Sequence, residues 1–169
     1  MKKIDWENLS FGYQKTDYNV RCYYRDGKWG EIEVSSDENI NIHMAATCLH
    51  YGQEAFEGLK AYRCPDGKVR VFRPEENAAR LQRTCRGIVM PEPPTELFVE
   101  MIKKVVRLNQ EYIPTYESGA TLYLRPLLIG TGAQVGVRPA EEYLLLIFAT
   151  PVGPYFTGGF STNPYVIMR

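Results

Sequence analysis

The sequence predicts an α+β domain, a largely antiparallel sheet with two main helices. Two observations carry this. Strand signals arrive in consecutive pairs, at 20–34, 59–72 and 120–150. The two helical stretches, 74–86 and 95–112, fall together between hairpins, without the regular βαβ alternation of a parallel sheet.

The elements follow in order. Val20-Arg21-Cys22-Tyr23-Tyr24, a turn at Asp26-Gly27 and an extended run from Trp29 to Val34 read as a hairpin. A second hairpin joins 59–63 to 69–72 across Pro65-Asp66-Gly67. Pro74 opens a helix at the position where a missing N–H costs nothing, with Glu75 and Glu76 near its positive end. The next helix is expected to start at Thr95 as N-cap and to run to Tyr112, where Pro114 stops it. Leu97, Phe98, Met101, Ile102, Val105 and Val106 form its apolar stripe and belong to the core. Two long strands, 120–129 and 143–150, close the domain. Residues 164–169 look like the start of another extended segment. The expected division is therefore one domain over 1–158, with 159–169 opening a linker or a second lobe; a C-terminal strand docked on the sheet is the alternative.

Composition narrows the function classes. The chain has 169 residues, enough for one domain with a substantial core, and its 20 basic and 20 acidic residues balance. With no basic block, it lacks the electrostatic footprint of a nucleic-acid or membrane-surface binder. No apolar run approaches the roughly 20 residues of a membrane span, and the lysines at the N-terminus have no apolar stretch behind them. Cys22, Cys48, Cys64 and Cys85 form no Cys-x-x-Cys unit, which disfavours zinc and fits free thiols in the cytoplasm.

The strongest local signal for a site is an arginine inside an apolar strand, Leu122-Tyr123-Leu124-Arg125-Pro126. Alternation places Thr121, Tyr123 and Arg125 on one face, with Leu122, Leu124 and Leu127 expected mainly on the other. A guanidinium there needs either a protein acid or an acidic ligand. Gly130-Thr131-Gly132-Ala133-Gln134-Val135-Gly136 is not a phosphate loop, because its spacing is wrong and no lysine with a hydroxyl residue follows; it reads as a loop on the rim of a site. His43 and His50 fit no metal or hydrolase pattern. Glu54 and Glu57 read as two surface glutamates. Among Arg80, Arg83 and Arg86, any could grip a phosphate, but residue patterning alone favours a solvated basic face.

Four motifs in order go further: His50-Tyr51-Gly52-Gln53-Glu54-Ala55-Phe56-Glu57-Gly58-Leu59-Lys60-Ala61-Tyr62, Phe72-Arg73-Pro74 through Arg80, Leu122-Tyr123-Leu124-Arg125-Pro126, and Pro151-Val152-Gly153-Pro154-Tyr155-Phe156. Together they resemble the branched-chain amino acid aminotransferases, fold-type IV pyridoxal-phosphate enzymes, from about Ser10 onward. The resemblance implies the small N-terminal domain of such an enzyme, moving an amino group between Leu, Ile or Val and 2-oxoglutarate as a cytoplasmic homodimer. It implies that Arg80 holds the cofactor phosphate and that Phe56, Tyr123, Arg125 and Tyr155 line the substrate pocket. Tyr51 and Val137 would reach toward the partner subunit's site. An aromatic wall expected near the first strand is replaced around Lys15. None of the eight lysines, Lys60 included, matches the family's Schiff-base lysine, so no catalytic residue is assigned and this chain alone is expected not to turn over. D-amino acid aminotransferase, aminodeoxychorismate lyase and a non-catalytic association domain are the alternatives.

Overall fold

A computed structural model describes residues 4–6 and 8–154. Its axis is the pair of long strands the sequence marks. β7 (Thr121–Gly130) and β8 (Tyr143–Val152) run antiparallel in unbroken register, from Thr121 opposite Val152 to Gly130 opposite Tyr143. The earlier strands build outward from them: β1 (Asn19–Arg25), β2 (Lys28–Trp29), β3 (Glu33–Ser35), β4 (Glu54–Phe56), β5 (Leu59–Arg63) and β6 (Val69–Val71). The order is β2-β1-β8-β7-β5-β6, with β3 also on β1 and β4 also on β7. Every pairing is antiparallel.

Both expected helices form. α2 (Pro74–Gly87) begins at Pro74 with Glu75 and Glu76 in its first turn, and Arg73 bonds Glu76 at 2.7 Å. α3 (Thr95–Leu108) departs from expectation at both ends. Thr95 is the first helical residue and Pro94 takes the cap position; the Thr95 hydroxyl accepts a bond from Gln82 at 3.2 Å instead of capping. The helix stops four residues before Tyr112 because buried Asn109 intervenes. Its side-chain amide donates to the Val105 carbonyl at 2.9 Å and exchanges bonds with the Tyr18 backbone, so 110–112 continue only as a 3-10 turn. A short helix, α1 (Thr47–Tyr51), and strand β4 were not anticipated as elements.

One face of the sheet carries the helices. Leu122, Leu124 and Leu128 of β7 join Leu145, Ile147 and Ala149 of β8 in a core with Leu81 and Cys85 of α2 and Phe98, Met101, Ile102 and Val105 of α3. Burial pushes the Cys85 thiol up to about 11. The apolar stripe of α3 thus lands where its helical spacing placed it. Leu127 does not lie with Leu122 and Leu124. It shares parity with Arg125 and packs with Ile129, Leu144 and Leu146 in a smaller cluster on the opposite face. Side chains share a face of a strand only at even offsets, and Leu127 is two residues from Arg125 but an odd number from Leu122 and Leu124.

A proline in a strand with neighbours on both sides normally removes a ladder bond. Pro126 removes one of the two bonds it would exchange with Glu57, its partner in the register that β4 and β5 share, and only the Glu57 N–H to the Pro126 carbonyl forms, at 2.9 Å. The backbone N and O of one strand residue point to the same neighbour, so the absent N–H faces the gap between β4 and β5. That gap is Glu57-Gly58, since β4 pairs with Leu127–Ile129 and β5 with Leu122–Leu124.

At the far end of β7, a Cβ on Gly130 would stand 2.1 Å from the Thr47 hydroxyl and 3.0 Å from Gln53 Oε1. Those atoms are bonded to each other at 2.9 Å, and Gln53 also receives the Ala140 N–H at 3.1 Å. Gly130→Ala is expected to cost about 1–3 kcal/mol as this buried network shifts. Urea unfolding checks it, and pairing with Thr47→Ala should give less than the sum of the two single losses.

Candidate functional site

The site begins between β4 and β5, where the register along β7 carries on unchanged and alternation sends Phe56 and Gly58 to one face and Glu57 to the other. Phe56 is 63 % exposed on the face opposite the helices. Glu57 turns inward and is 3 % exposed, so the expectation of a surface glutamate is overturned. Gly58 has no side chain, and a Cβ there would lie 2.6 Å from the Tyr123 hydroxyl. A buried carboxylate requires a full set of donors. Glu57 receives Arg80 Nε on Oε1 at 2.8 Å and Arg80 Nη2 on Oε2 at 2.6 Å, a bidentate fork. Asn77 Nδ2 adds a third bond, to Oε2, at 2.8 Å.

Arg80 itself stays largely exposed, at 60 % of its side chain. It is therefore neither a solvated basic residue nor a bare cation. One edge of the guanidinium is fixed on Glu57, and Nη1 has no partner among the described residues. Arg83 makes no ion pair among them, and Arg86 pairs with Glu92.

On the open face, Tyr123 and Arg125 stand side by side on β7, half-buried, with Phe148 of β8 opposite Arg125. The Arg125 Nε donates to the Tyr123 hydroxyl at 3.1 Å. The guanidinium lies over the Phe56 ring at 4.5 Å and beside the Tyr123 ring at 5.3 Å. Among the described residues no carboxylate pairs with it. Aromatic faces and a phenol hydroxyl support the cation while its two Nη groups keep their donors. Phe11 packs edge-on against Tyr123 at 5.4 Å, and Tyr13 against Phe148 at 6.1 Å. Lys15 is turned away into an ion pair with Glu38 at 2.5 Å. An aromatic wall is thus present at the N-terminal segment, supplied by Phe11 and Tyr13.

Tyr51 and Val137 come together elsewhere, in a shallow depression with Gln53, Val89 and Pro139, and none of Phe56, Tyr123 and Arg125 lines it. The Tyr51 hydroxyl donates to the Val135 carbonyl. Val135 and Val137 are 86 % and 87 % exposed. The loop that carries them is pinned below: Gln134 Nε2 donates to the Gly136 carbonyl at 2.8 Å and the Arg138 carbonyl at 2.6 Å. His50 bonds the Met44 carbonyl at 2.8 Å, a structural role. Tyr155 lies outside the described residues, as do 159–169. No group of three or more metal-ligating side chains occurs among the described residues.

The structure thus gathers Phe56, Tyr123 and Arg125 into one cluster, fixes Arg80 on Glu57, the chain neighbour of Phe56 on the opposite face, and sets Tyr51 and Val137 apart. Sequence reasoning missed Phe11, Phe148, Asn77 and the inward turn of Glu57. Phe148 was reachable from strand pairing, because an antiparallel register puts it opposite Arg125. The inward turn of Glu57 was reachable too, because it shares strand parity with Ala55, Leu59 and Ala61, all buried.

No family model matches the chain. It is 51% identical over 166 residues to the branched-chain-amino-acid aminotransferase of Haemophilus influenzae, covering 98% of this chain and 48% of that protein. The chain spans about half the length of the curated relatives it matches. Among solved structures, the branched-chain amino acid aminotransferase of Escherichia coli superposes with a TM-score of 0.61 at 25% identity, over 85% of this chain and 42% of that one. The enzyme of the same description from Thermobaculum terrenum, solved in its PLP form, gives 0.59 at 20% identity, over 82% and 41%.

Gly58→Ala is expected to push the Tyr123 phenol aside and break its bond with Arg125. The side-chain Nε–H resonance of Arg125 in an NMR spectrum is the check. It should be visible in the parent chain and lost to solvent exchange in the variant.

Proposed function

We propose that this chain, a partial-length relative of the branched-chain-amino-acid aminotransferases that shares their fold, forms the N-terminal, substrate-facing lobe of a pyridoxal-phosphate-dependent enzyme. That enzyme transfers the amino group between leucine, isoleucine or valine and 2-oxoglutarate. The observation that carries the reading is Arg125: a cation held by Phe56 and Tyr123 on the face without helices, with no carboxylate partner among the described residues.

The residues present fit the cofactor's phosphate. Arg80 is anchored on one edge and exposed on the other, and its Nη1 has no partner among the described residues. The bound cofactor would supply the carbonyl that accepts the amino group and the electron sink for the α-carbon. The chain's own residues do the rest of what is assigned to this lobe. Arg80 binds and orients the phosphate. Phe56 and Phe11 provide apolar area for a branched side chain and exclude water, with discrimination limited to about 1–3 kcal/mol per methylene. Arg125, with the Tyr123 hydroxyl, binds the second carboxylate of a dicarboxylic substrate. Tyr155 adds to the pocket near the lobe's end.

Tyr51 and Val137, on the pinned rim loop, extend toward the site of a second copy in a homodimer. In this reading the lobe is residues 1–158, and 159–169 belong to a linker or a second lobe. No helix among the described residues is long and apolar enough to cross a membrane, and the proposed setting is the cytoplasm.

No lysine of the chain is assigned as the cofactor-bearing one. Lys60 is the nearest candidate by register, directly opposite Tyr123. Incubation with near-stoichiometric pyridoxal phosphate, borohydride reduction and peptide mapping should give no single stoichiometric adduct. A full adduct on Lys60 would show that the lobe carries its own attachment site.

The function itself is tested in a chimera. Residues 10–154 replace the matching segment of the Haemophilus influenzae relative, and amino transfer from L-leucine to 2-oxoglutarate is assayed. The chimera should be active. Arg125→Ala should raise the KM for 2-oxoglutarate by about tenfold or more, the loss of a charge-assisted contact, while the KM for leucine moves much less. Equal effects on both substrates would remove the assigned role of Arg125.

A further inference from the structure

The buried Glu57 carboxylate sits directly behind the group that meets the phosphate. By charge alone this is the wrong place for it, because a carboxylate next to an anion site repels the anion. Its geometry argues otherwise. Arg80 commits Nε and Nη2 to Glu57 at 2.8 and 2.6 Å. That fixes both the plane of the guanidinium and the direction of its remaining donors, on a side chain that is otherwise 60 % exposed and free to sample many rotamers. Glu57 is itself immobile. It is 3 % exposed, bonded by Asn77 at 2.8 Å, and tied through its own N–H to the Pro126 carbonyl at 2.9 Å.

We infer that Glu57 is a positioning residue for the anion site: it acts through Arg80, holding the guanidinium in the one orientation that presents its outer edge to a phosphate. This deepens the reading of Arg80 as the phosphate anchor and rests on it. The two opposing effects differ in sign. If orientation dominates, removing the negative charge of Glu57 weakens phosphate binding. If charge dominates, removing it strengthens binding. Glu57→Gln keeps the shape and one acceptor, but turns an amide NH2 toward a guanidinium that also only donates.

The test uses the 169-residue chain and two probes, pyridoxamine 5′-phosphate and pyridoxamine, which differ by the phosphate and carry no aldehyde to label lysines. Binding is followed on the Arg80 Nε–H resonance, with a thermal melt of each variant as the fold control. Glu57→Gln should weaken pyridoxamine 5′-phosphate by about tenfold, roughly one charge-assisted hydrogen bond, and leave pyridoxamine unchanged. In an Arg80→Lys background it should change nothing further. Asn77→Ala, which loosens Glu57 without removing it, should move phosphate affinity in the same direction by less, and it stands as the test should Glu57→Gln not fold. Unchanged or tighter phosphate binding in these variants, with Arg80→Lys still impaired, overturns the positioning role and leaves Arg80 as the anchor. If Arg80→Lys matches the parent, or the parent shows no phosphate-dependent binding, the reading of Arg80 falls and the positioning role with it.

Discussion

The structure depends on one register held beside β7. β7 has β8 on one side and β4 followed by β5 on the other, and the two short strands share a register, with Phe56 opposite Leu127 and Leu59 opposite Leu124. Between them Glu57 faces Pro126, where the proline has no N–H to offer and one ladder bond is missing. Alternation passes through that point unbroken, with Ala55, Glu57, Leu59 and Ala61 turned inward and Phe56 and Gly58 on the open face. Phe56 thus covers Arg125, Glu57 sits under Arg80, and Gly58 leaves room for the Tyr123 hydroxyl. Strand alternation alone serves the sheet arginine from one face of this short segment and the helix arginine from the other.

How Arg125 is held bears on what it binds. In an apolar strand, an ion pair is the expected support for a guanidinium. Here the support is two aromatic rings and one phenol oxygen. A fixed carboxylate partner would have consumed the donors and cancelled the charge. Stacking on a ring stabilises the cation through its face, which leaves its edge for a ligand. Arg80 is arranged in the opposite manner, neutralised by Glu57 and fixed by it. Of the two cations, one is kept available by its charge and the other by its geometry.

Much of this was legible in the sequence. The paired hairpins, the long strands, the Pro74 start and the α3 stripe rest on local rules of spacing and backbone chemistry, and all recur in the fold. The errors share a different origin. The end of α3 is set by Asn109 reaching across to Tyr18, a residue 91 positions away, so its cause is tertiary. Glu57 has both origins: its inward direction follows the parity of Ala55, Leu59 and Ala61, while the partners that satisfy it, Asn77 and Arg80, belong to another element. Leu127 is a lapse of parity, correctable from the strand itself. For the site, Arg80, Phe56, Tyr123 and Arg125 came from a resemblance of motifs. Local pattern pointed only to Arg125, as the one charge inside an apolar strand.

The two faces of the sheet explain why the site lies where it does. The helix face is closed by Leu122, Leu124, Leu145 and Ile147 against α2 and α3, so no ligand can enter between sheet and helices without dismantling the core, and Arg80 meets solvent only at its outer edge. Among the described residues, the other face has the small cluster around Ile129, Leu144 and Leu146. Beyond it, Arg125, Tyr123, Phe56 and Phe148 stand partly open. Their aromatic surface is larger than that of a scattered residue, and it is continuous with a cation that has donors to spare. A surface of this kind suits a ligand with an apolar part and a carboxylate, covered from outside by further protein. That cover would exclude water and strengthen the cation's pull on the carboxylate. The two demands of the proposed chemistry, a branched apolar side chain and a dicarboxylic acid, then meet on the same few residues: the rings serve the first and the edge of Arg125 the second.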